Sequence, residues 1–334
     1  MPIVDGVRRM SFFTKLPRER YAGDGFAGFE GQRDFNLGDG KAFAWMSQLA
    51  YETDEPEKIK DILRVWGMTP LGDGILAAEV NSVLPIASTR AIIAVGRGAT
   101  IIAFAGTDPL VLANWISDFD IRIASTQVAE GFEAAAQCIW PRLQSLLDQP
   151  EAAAGKTFVT GHSLGGALAV VAADRIVKLG RDVEAVYTFG MPRPGSDQFA
   201  IAYNERIGQR TFRLVHGEDL VPTVAPSNVG LHQFHHVGRY LHCDRDAKFK
   251  TEALAADSTS DSPPFVEGIS KDLRSWLHGP LSALGSAASR FKLAAMLAIG
   301  RGPGGMRSDP GGIAIELLPP RLRDHMPDRY IGGF

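Results

Sequence analysis

The sequence has few cysteines and no excess of either charge. Only Cys138 and Cys243 occur in its 334 residues, too few and too far apart for a disulfide framework. Lysines and arginines number 35 against 38 aspartates and glutamates, which gives a net charge of −3. Because nucleic-acid-binding domains usually carry a clear basic excess, this balance argues against a nucleic-acid partner.

Long apolar runs are also missing. The longest runs are seven residues, at 167–173 and 293–299, far short of the ~18 that a membrane-spanning helix requires. The N-terminal residues contain no apolar segment ahead of a small-residue cleavage site. We therefore expect no transmembrane segment and a cytoplasmic location, with leaderless secretion as the alternative.

Strand and helix patterns alternate along most of the chain. Two runs rich in isoleucine and valine, at 89–95 and 99–105, flank Gly-Arg-Gly, which predicts a hairpin. Beyond residue 155, short apolar runs alternate with helical periods, as is typical of βαβ units. The sequence thus predicts an α/β fold with a central, mostly parallel sheet flanked by helices.

The composition changes towards the C-terminus. Residues 244–312 are first polar and serine-rich, and then show a helical period with a broad apolar stripe at 273–299. A short strand-like run follows at 313–318. We predict a single domain over residues 1–334, with its core at about 38–243 and 313–334. The helical insertion between these two parts, before the C-terminal strand, would be cap-like.

The segment with the most chemical information is Gly161-His162-Ser163-Leu164-Gly165, a G-x-S-x-G pattern. The pattern alone is common, but here an apolar strand precedes it and an apolar helix follows it, which is the context of a nucleophile elbow. The flanking glycines let strand and helix meet without collision. We predict that Ser163 is a catalytic nucleophile. The alternative is a glycine-rich helix start with an incidental serine.

A nucleophilic serine needs a base, and the base needs an orienting carboxylate. On sheets of this kind the chain order is nucleophile, acid, histidine. Asp219 lies in a loop just after the predicted strand at 211–215, where the acid is expected. Its neighbour Glu218 is the competing candidate, and a solvated loop carboxylate without a catalytic role is the third possibility.

Eight histidines are present, and at most one is the base. His325 comes last, after the predicted sheet is complete, and His278 at a predicted helix end is its main competitor. Four others cluster around the predicted strand at 234–241: His232, His235, His236 and His242. This cluster suggests a metal site, but strand alternation puts its two consecutive histidines on opposite faces. We therefore predict no metal.

A second electrostatic element is the strand that ends in Gly106-Thr107. Such a strand end offers a free backbone N–H with a hydroxyl beside it. Together with the N–H of Leu164, it could hold a developing oxyanion. The alternative is an ordinary strand end at which Thr107 caps a turn.

Several segments, taken in order, are similar to the class 3 (fungal-type) lipases of the α/β-hydrolase superfamily: AFAGTD, NWISDFDI, GHSLGGALA, YTFGMPRPG, VHGEDLVPTVAP, FHHVGRYL and DHMPDRYI. The resemblance covers roughly residues 85–243 and 313–330. It implies an α/β-hydrolase fold. It also implies a complete catalytic set: Ser163 as nucleophile, Asp219 as triad acid, His325 as triad base, and Thr107 with Leu164 as the oxyanion hole.

The resemblance further implies a lipase that hydrolyses acylglycerol esters through an acyl-enzyme, needs no cofactor and makes transient contact with a lipid interface. The family's lid would fall at 108–121. Two departures remove polar groups near the site: Ala105 stands where the family usually has arginine, and Ala129 where a histidine often occurs. The enzymatic alternatives are a short-chain or feruloyl-type esterase and a phospholipase. A lipase-like interaction module is the non-enzymatic alternative.

Overall fold

The structure is a computed structural model that describes residues 14–80, 88–107, 124–224, 234–256 and 320–334. These residues form nine strands: β1 (Thr69–Glu79), β2 (Ser88–Gly96), β3 (Ala99–Phe104), β4 (Lys156–His162), β5 (Ala185–Phe189), β6 (Gly195–Ser196), β7 (Thr211–His216), β8 (Phe234–His235) and β9 (Arg239–Cys243). Seven of them make one sheet in the order β1-β2-β3-β4-β5-β7-β9, and β6 pairs with β8.

The direction of the strands divides the main sheet into two parts. β1, β2 and β3 are antiparallel, and the predicted hairpin is β2–β3. From β3 through β4, β5 and β7 to β9, every pairing is parallel. The predicted mostly parallel sheet is therefore confirmed. Its parallel strands all end at the same edge, which we call the carboxyl edge.

Helices cover both faces of the sheet. The described residues contain eight α-helices: α1 (Leu37–Leu49), α2 (Pro56–Val65), α3 (Glu130–Leu147), α4 (Pro150–Ala153), α5 (Leu164–Lys178), α6 (Asp197–Ile207), α7 (Pro320–Arg323) and α8 (Pro327–Gly332). One apolar core lies under α3, α5 and α6, and the other lies under α1 and α2. Every residue of β3 and β5 is buried, as expected for strands covered on both faces.

Residues 14–36, the N-terminal arm, are irregular yet well packed. Phe29 stacks edge-on against Phe158 of β4, and Phe35 packs in the same way on Phe212 of β7. Both arm side chains are buried. Burial of a phenylalanine side chain contributes roughly 1.5–3 kcal/mol to the stability of the fold. The arm is therefore part of the second core.

Two strand predictions differ from the structure. β1 is not predicted at all, because its first half contains proline and two glycines and its register shifts between Pro70 and Ile75. The predicted strand at 234–241 is two short strands, separated at Gly238, where φ is +77°. A Cβ at that glycine would lie 2.5 Å from the Thr211 side chain. The bend between the two strands therefore requires glycine.

Several predicted elements lie outside the described residues. They are the lid at 108–121, the helical stripe at 273–299 and the strand at 313–318. The single-domain division with a cap-like insertion at 244–312 accordingly remains a prediction. In the part of the chain that the structure covers, no helix is both long and apolar enough to cross a membrane.

Candidate active site

Loops from four strands meet at the carboxyl edge of the sheet. Thr107 follows β3, Ser163 follows β4, Gly190 follows β5, and Asp219 comes shortly after β7. Parallel strands present their carboxyl ends together, and ligands of open α/β sheets bind there. The segment that contains His325, between α7 and α8, reaches the same edge. Strand direction thus brings distant parts of the sequence together.

Ser163 occupies a strained position between β4 and α5. Its φ of 59° and ψ of −133° are rare for a residue with a side chain. Its N–H donates to the Phe189 carbonyl at 2.8 Å, and its own carbonyl accepts from the Gly166 N–H at 2.9 Å. These bonds hold the sharp turn, and the residue is fully buried.

The two glycines of the G-x-S-x-G pattern are required by space rather than by φ. A Cβ on Gly161 would lie 2.1 Å from the Gly165 carbonyl oxygen. A Cβ on Gly165 would lie 2.4 Å from the carbonyl oxygen of Phe104, the last residue of β3. Strand and helix therefore approach more closely than any side chain permits, which gives the turn its sharpness.

Asp219 and His325 form a buried pair. His325 Nδ1 lies 2.8 Å from Asp219 Oδ2. The same oxygen accepts from the Tyr330 hydroxyl at 2.5 Å, and Oδ1 accepts from the Val221 N–H at 2.9 Å. An ionised carboxylate only accepts, so Nδ1 carries the proton and the lone pair of His325 is on Nε2. This tautomer is the one that a general base for serine requires.

Ser163 Oγ and His325 Nε2 are both buried, and neither has a hydrogen-bond partner among the described residues. The residue before the serine nevertheless contacts the histidine, since the rings of His162 and His325 have centroids 4.6 Å apart. The structure thus brings His325 against the residue that precedes the proposed nucleophile, and it shows no hydrogen bond between Ser163 and His325. Such bonds are often long in free enzymes and shorten when substrate is bound.

Glu218, the competing acid, points away from the histidine. Its side chain is 64% exposed, and its carboxylate lies 3.5 Å from Arg245 and 3.6 Å from Arg321. Asp219 is 5% exposed and contacts His325 directly. The geometry therefore favours Asp219 over Glu218 as the partner of the histidine.

Two histidines of the predicted cluster have hydrogen-bond partners elsewhere. His236 Nε2 donates to the Pro222 carbonyl at 2.8 Å, and His242 Nε2 donates to the Gly217 carbonyl at 2.9 Å. His232 and His278 lie outside the described residues. Within the described ranges, no three histidines, cysteines or acidic residues are grouped as a metal site would require.

Both proposed oxyanion donors are next to residues at the elbow. Gly106, just before Thr107, is so close to the elbow that a Cβ there would lie 2.7 Å from Ser163 Cβ. Leu164 is the first residue of α5, and the first N–H groups of a helix have no partner within it. The chain around both residues thus lies close to Ser163, and Thr107 and Leu164 are buried.

Tyr330 is the residue at this site that the sequence prediction missed. It lies five positions after His325 in the segment DHMPDRYI, where nothing local connects it with an acid more than a hundred residues earlier. Burial, followed by the charge of Asp219, raises the pKa of its hydroxyl well above the ordinary value. The hydroxyl therefore remains protonated and donates to the carboxylate.

Comparison with known proteins supports the resemblance. Residues 101–229 match the family model described as lipase (class 3). A secreted mono- and diacylglycerol lipase 1 of Fusarium solani is 36% identical over 121 residues, covering 34% of this chain and 36% of the relative. Phospholipase A1-II 1 of Oryza sativa subsp. indica is 28% identical over 184 residues, covering 53% and 44%. The chain thus spans about a third of the Fusarium relative's length.

Solved structures show the fold. A mutant form of MDLA from Penicillium cyclopium matches with a TM-score of 0.53 and 20% identity, covering 72% of this chain and 92% of that one. The lipase of Rhizopus microsporus var. chinensis has the same TM-score and identity, with coverages of 71% and 84%. The predicted α/β-hydrolase fold is confirmed.

The predicted cytoplasmic location is wrong. The Fusarium relative and a mono- and diacylglycerol lipase of Malassezia globosa are named as secreted. The prediction rested on the lack of an apolar segment near residue 1. Such a lack gives no positive information on the compartment in which a protein acts.

Proposed function

We propose that the chain, whose residues 101–229 match the family model described as lipase (class 3), is a serine carboxylic-ester hydrolase, a lipase that acts on acylglycerol esters. The observation that carries the proposal is the buried Asp219–His325 pair beside a serine on a strained elbow. A protein that only binds partners has no need of an acid and a histidine of defined tautomer beside such a serine.

In the proposed mechanism, Ser163 Oγ attacks the ester carbonyl while His325 Nε2 takes the hydroxyl proton. Asp219 accepts the Nδ1–H throughout and stabilises the imidazolium. The N–H groups of Leu164 and Thr107 donate to the oxyanion of the tetrahedral intermediate.

Collapse of that intermediate breaks the bond to the alcohol, which takes the proton from His325 and leaves Ser163 acylated. Water then attacks the acyl-enzyme by the reverse proton path and releases the fatty acid. The mechanism uses side chains and backbone amides only.

The names of the relatives indicate the substrate class. The Fusarium and Malassezia relatives are named as mono- and diacylglycerol lipases, which supports acylglycerols as the substrate and a transient contact with a lipid interface. The rice relative is named as a phospholipase A1, so phospholipid hydrolysis is the second candidate. Release of fatty acid from emulsified mono-, di- and triacylglycerols, compared with phosphatidylcholine vesicles, distinguishes the two.

The proposal is tested with Ser163→Ala. Alanine keeps the Cβ that the elbow already accommodates, so we expect an unchanged melting temperature and a loss of ester hydrolysis of roughly 10⁴- to 10⁶-fold. Labelling of the wild-type protein by a fluorophosphonate, and its absence in the variant, would locate the reactive group. Hydrolysis near the wild-type rate would refute the proposal.

The same assay identifies the base. We expect His325→Ala to lose turnover as completely as the serine variant, because no other described histidine pairs with Asp219. His278→Ala, the matched control, should keep it. The opposite result would transfer the role of base to His278, and thermal melts of both variants exclude unfolding as the cause.

A further inference from the structure

An ion pair lies next to the Asp219–His325 pair. The Arg245 Nε lies 2.9 and 3.0 Å from the two carboxylate oxygens of Asp324, and Nη2 lies 2.7 Å from Oδ2. The Asp324 side chain is 2% exposed, whereas that of Arg245 is 43% exposed. A forked contact of this kind fixes the orientation of the carboxylate as well as its position.

The same carboxylate holds the loop of the triad acid. Asp324 Oδ2 accepts a hydrogen bond from the Glu218 N–H at 2.9 Å. Glu218 directly precedes Asp219, and Asp324 directly precedes His325. The two contacts, 218 with 324 and 219 with 325, are therefore successive links between the same two chain segments.

Gly217 leaves room for this arrangement. Its φ is +56°, and a Cβ there would lie 2.6 Å from Asp324 Oδ2. Its N–H donates to the carbonyl of Cys243, the last residue of β9, at 2.8 Å. Arg245 stands two residues beyond that cysteine. The acid loop, the end of β9 and the histidine segment are thus joined at one point.

We propose that Asp324 and Arg245 are positioning residues that set the geometry of the Asp219–His325 pair; the inference rests on the proposed function. The histidine returns to the acid only after the long segment between residues 245 and 324. The entropy cost of closing such a segment grows slowly with its length, but it must be offset by contacts at its ends. The ion pair supplies those contacts beside the acid.

Loss of the pair would free the histidine segment from the acid loop. A catalytic group displaced by about 1 Å costs about 10²-fold in rate. Substrate binding would change little, because neither residue is part of the proposed nucleophile or oxyanion hole. The expected signature is a fall in kcat with an almost unchanged KM.

The experiment compares Asp324→Asn and Arg245→Gln with a matched ion pair elsewhere. Asp174 on α5 is 4% exposed and pairs with Arg206 on α6, away from the carboxyl edge. Asp174→Asn and Arg206→Gln therefore remove a comparably buried ion pair without touching the triad. Arg245→Lys keeps the positive charge but cannot make the two-nitrogen contact with the Asp324 carboxylate.

Three quantities are measured on the full chain: kcat and KM for a short soluble p-nitrophenyl ester, the melting temperature, and the low-field proton resonance of the His325 Nδ1–H. The loss of that resonance in His325→Ala assigns it. We expect kcat to fall roughly 10- to 100-fold in Asp324→Asn and Arg245→Gln, with KM within about twofold and a shifted or broadened resonance. Arg245→Lys should recover part of kcat, and the control pair should change only the melting temperature.

The inference is overturned if Asp324→Asn and Arg245→Gln keep the wild-type kcat and resonance while their melting temperatures fall as in the control pair. Failure of the proposed function gives a different result. In that case the wild-type protein itself neither hydrolyses esters nor reacts with a fluorophosphonate. The resonance still reports the Asp219–His325 contact there, and its response to the five variants decides the inference.

Discussion

His162 Nε2 donates a hydrogen bond to the backbone carbonyl of His325 across 2.6 Å, so the residue before the proposed nucleophile holds the residue that carries the proposed base. Because a carbonyl only accepts, Nε2 bears the proton, and Nδ1 accepts from the Tyr51 hydroxyl at 2.8 Å. Burial, followed by an unfavourable electrostatic interaction with His325, lowers the pKa of His162 well below its ordinary value. The ring is therefore neutral at neutral pH and links β4, the histidine segment and the turn at Ala50–Glu52 that follows α1.

Substitution of each carboxylate in turn shows whether Asp219 or its neighbour Glu218 is the triad acid. Asp219→Asn can no longer stabilise the required tautomer of His325, and we expect kcat to fall by about 10⁴-fold. Glu218→Gln is the matched control and should change kcat less than twofold, because its exposed side chain pairs with Arg245 and Arg321 rather than with His325. Steady-state kinetics with a soluble ester measure both. The reverse order of effects would make Glu218 the acid.

A single methyl group at Gly190 should disrupt the Asp219–His325 pair. Its φ is +61°, and a Cβ there would lie 2.6 Å from Asp219 Oδ2 and 2.8 Å from His325 Nδ1. We expect Gly190→Ala to lose about 10²-fold or more in kcat. Gly180→Ala is the control, since its φ is +78° and no atom lies within 4 Å of an added Cβ.

Both glycine variants carry the backbone strain of about 1–2 kcal/mol that a left-handed alanine costs. Chemical denaturation measures the loss of stability that both variants share. The kcat of each variant measures the additional effect of crowding at the Asp219–His325 pair. Equal kcat values for the two variants would show that the crowding at Gly190 is relieved without moving the pair.

The hydroxyl of Thr107 is tested by Thr107→Val, which keeps the shape and the backbone N–H. If the hydroxyl donates to the oxyanion alongside that amide, kcat should fall by about 10²-fold with little change in KM. Pre-steady-state measurement of acyl-enzyme formation checks the step directly. An unchanged rate would leave the backbone N–H as the contribution of this residue.

The Arg245–Asp324 pair predicts a pH-dependent difference in stability. Burial alone would raise the pKa of Asp324, but hydrogen bonds from Arg245 and the Glu218 N–H hold it below the ordinary value, and His216 lowers it further. A carboxylate with a depressed pKa stabilises the fold above its unfolded pKa of about 3.9. That contribution is lost as the pH falls through the folded pKa.

We therefore expect wild type to melt above Arg245→Gln at about pH 7, and the gap to narrow below about pH 4. Thermal melts of both proteins across this range provide the measurement. A gap that stays constant with pH would show that the arginine stabilises the fold through packing rather than through the charge of Asp324.

The strands that carry the site could be predicted from sequence because their burial follows local patterns. β4 and α5 are an apolar run and an apolar helix on either side of Ser163. Chain order and the position just after a strand pointed to Asp219, with Glu218 as the competing candidate. β1 and the N-terminal arm could not be predicted in the same way. Their buried residues follow no period, since their positions depend on contacts with strands elsewhere in the chain.

The supports of the site were harder to predict than its proposed catalytic residues. Tyr330 and Asp324 stand in a quoted motif, but their roles depend on the carboxylate and the amide that they meet across the fold. Arg245 lies in a polar stretch that has the composition of ordinary surface. Such contacts become visible only when the two ends of the long segment are placed together.

The packing of the N-terminal arm has a consequence for the order of events during synthesis. Phe35 leaves the ribosome early, yet the surface on which it packs includes Phe212, which is made much later. Contacts of such high sequence separation form slowly, and exposed apolar side chains are prone to aggregation meanwhile. The side chain of Phe35 therefore cannot make this contact until β7 has left the ribosome. The proposed base is translated later still, so a nascent chain that has completed the seven described strands of the main sheet does not yet carry the whole proposed triad.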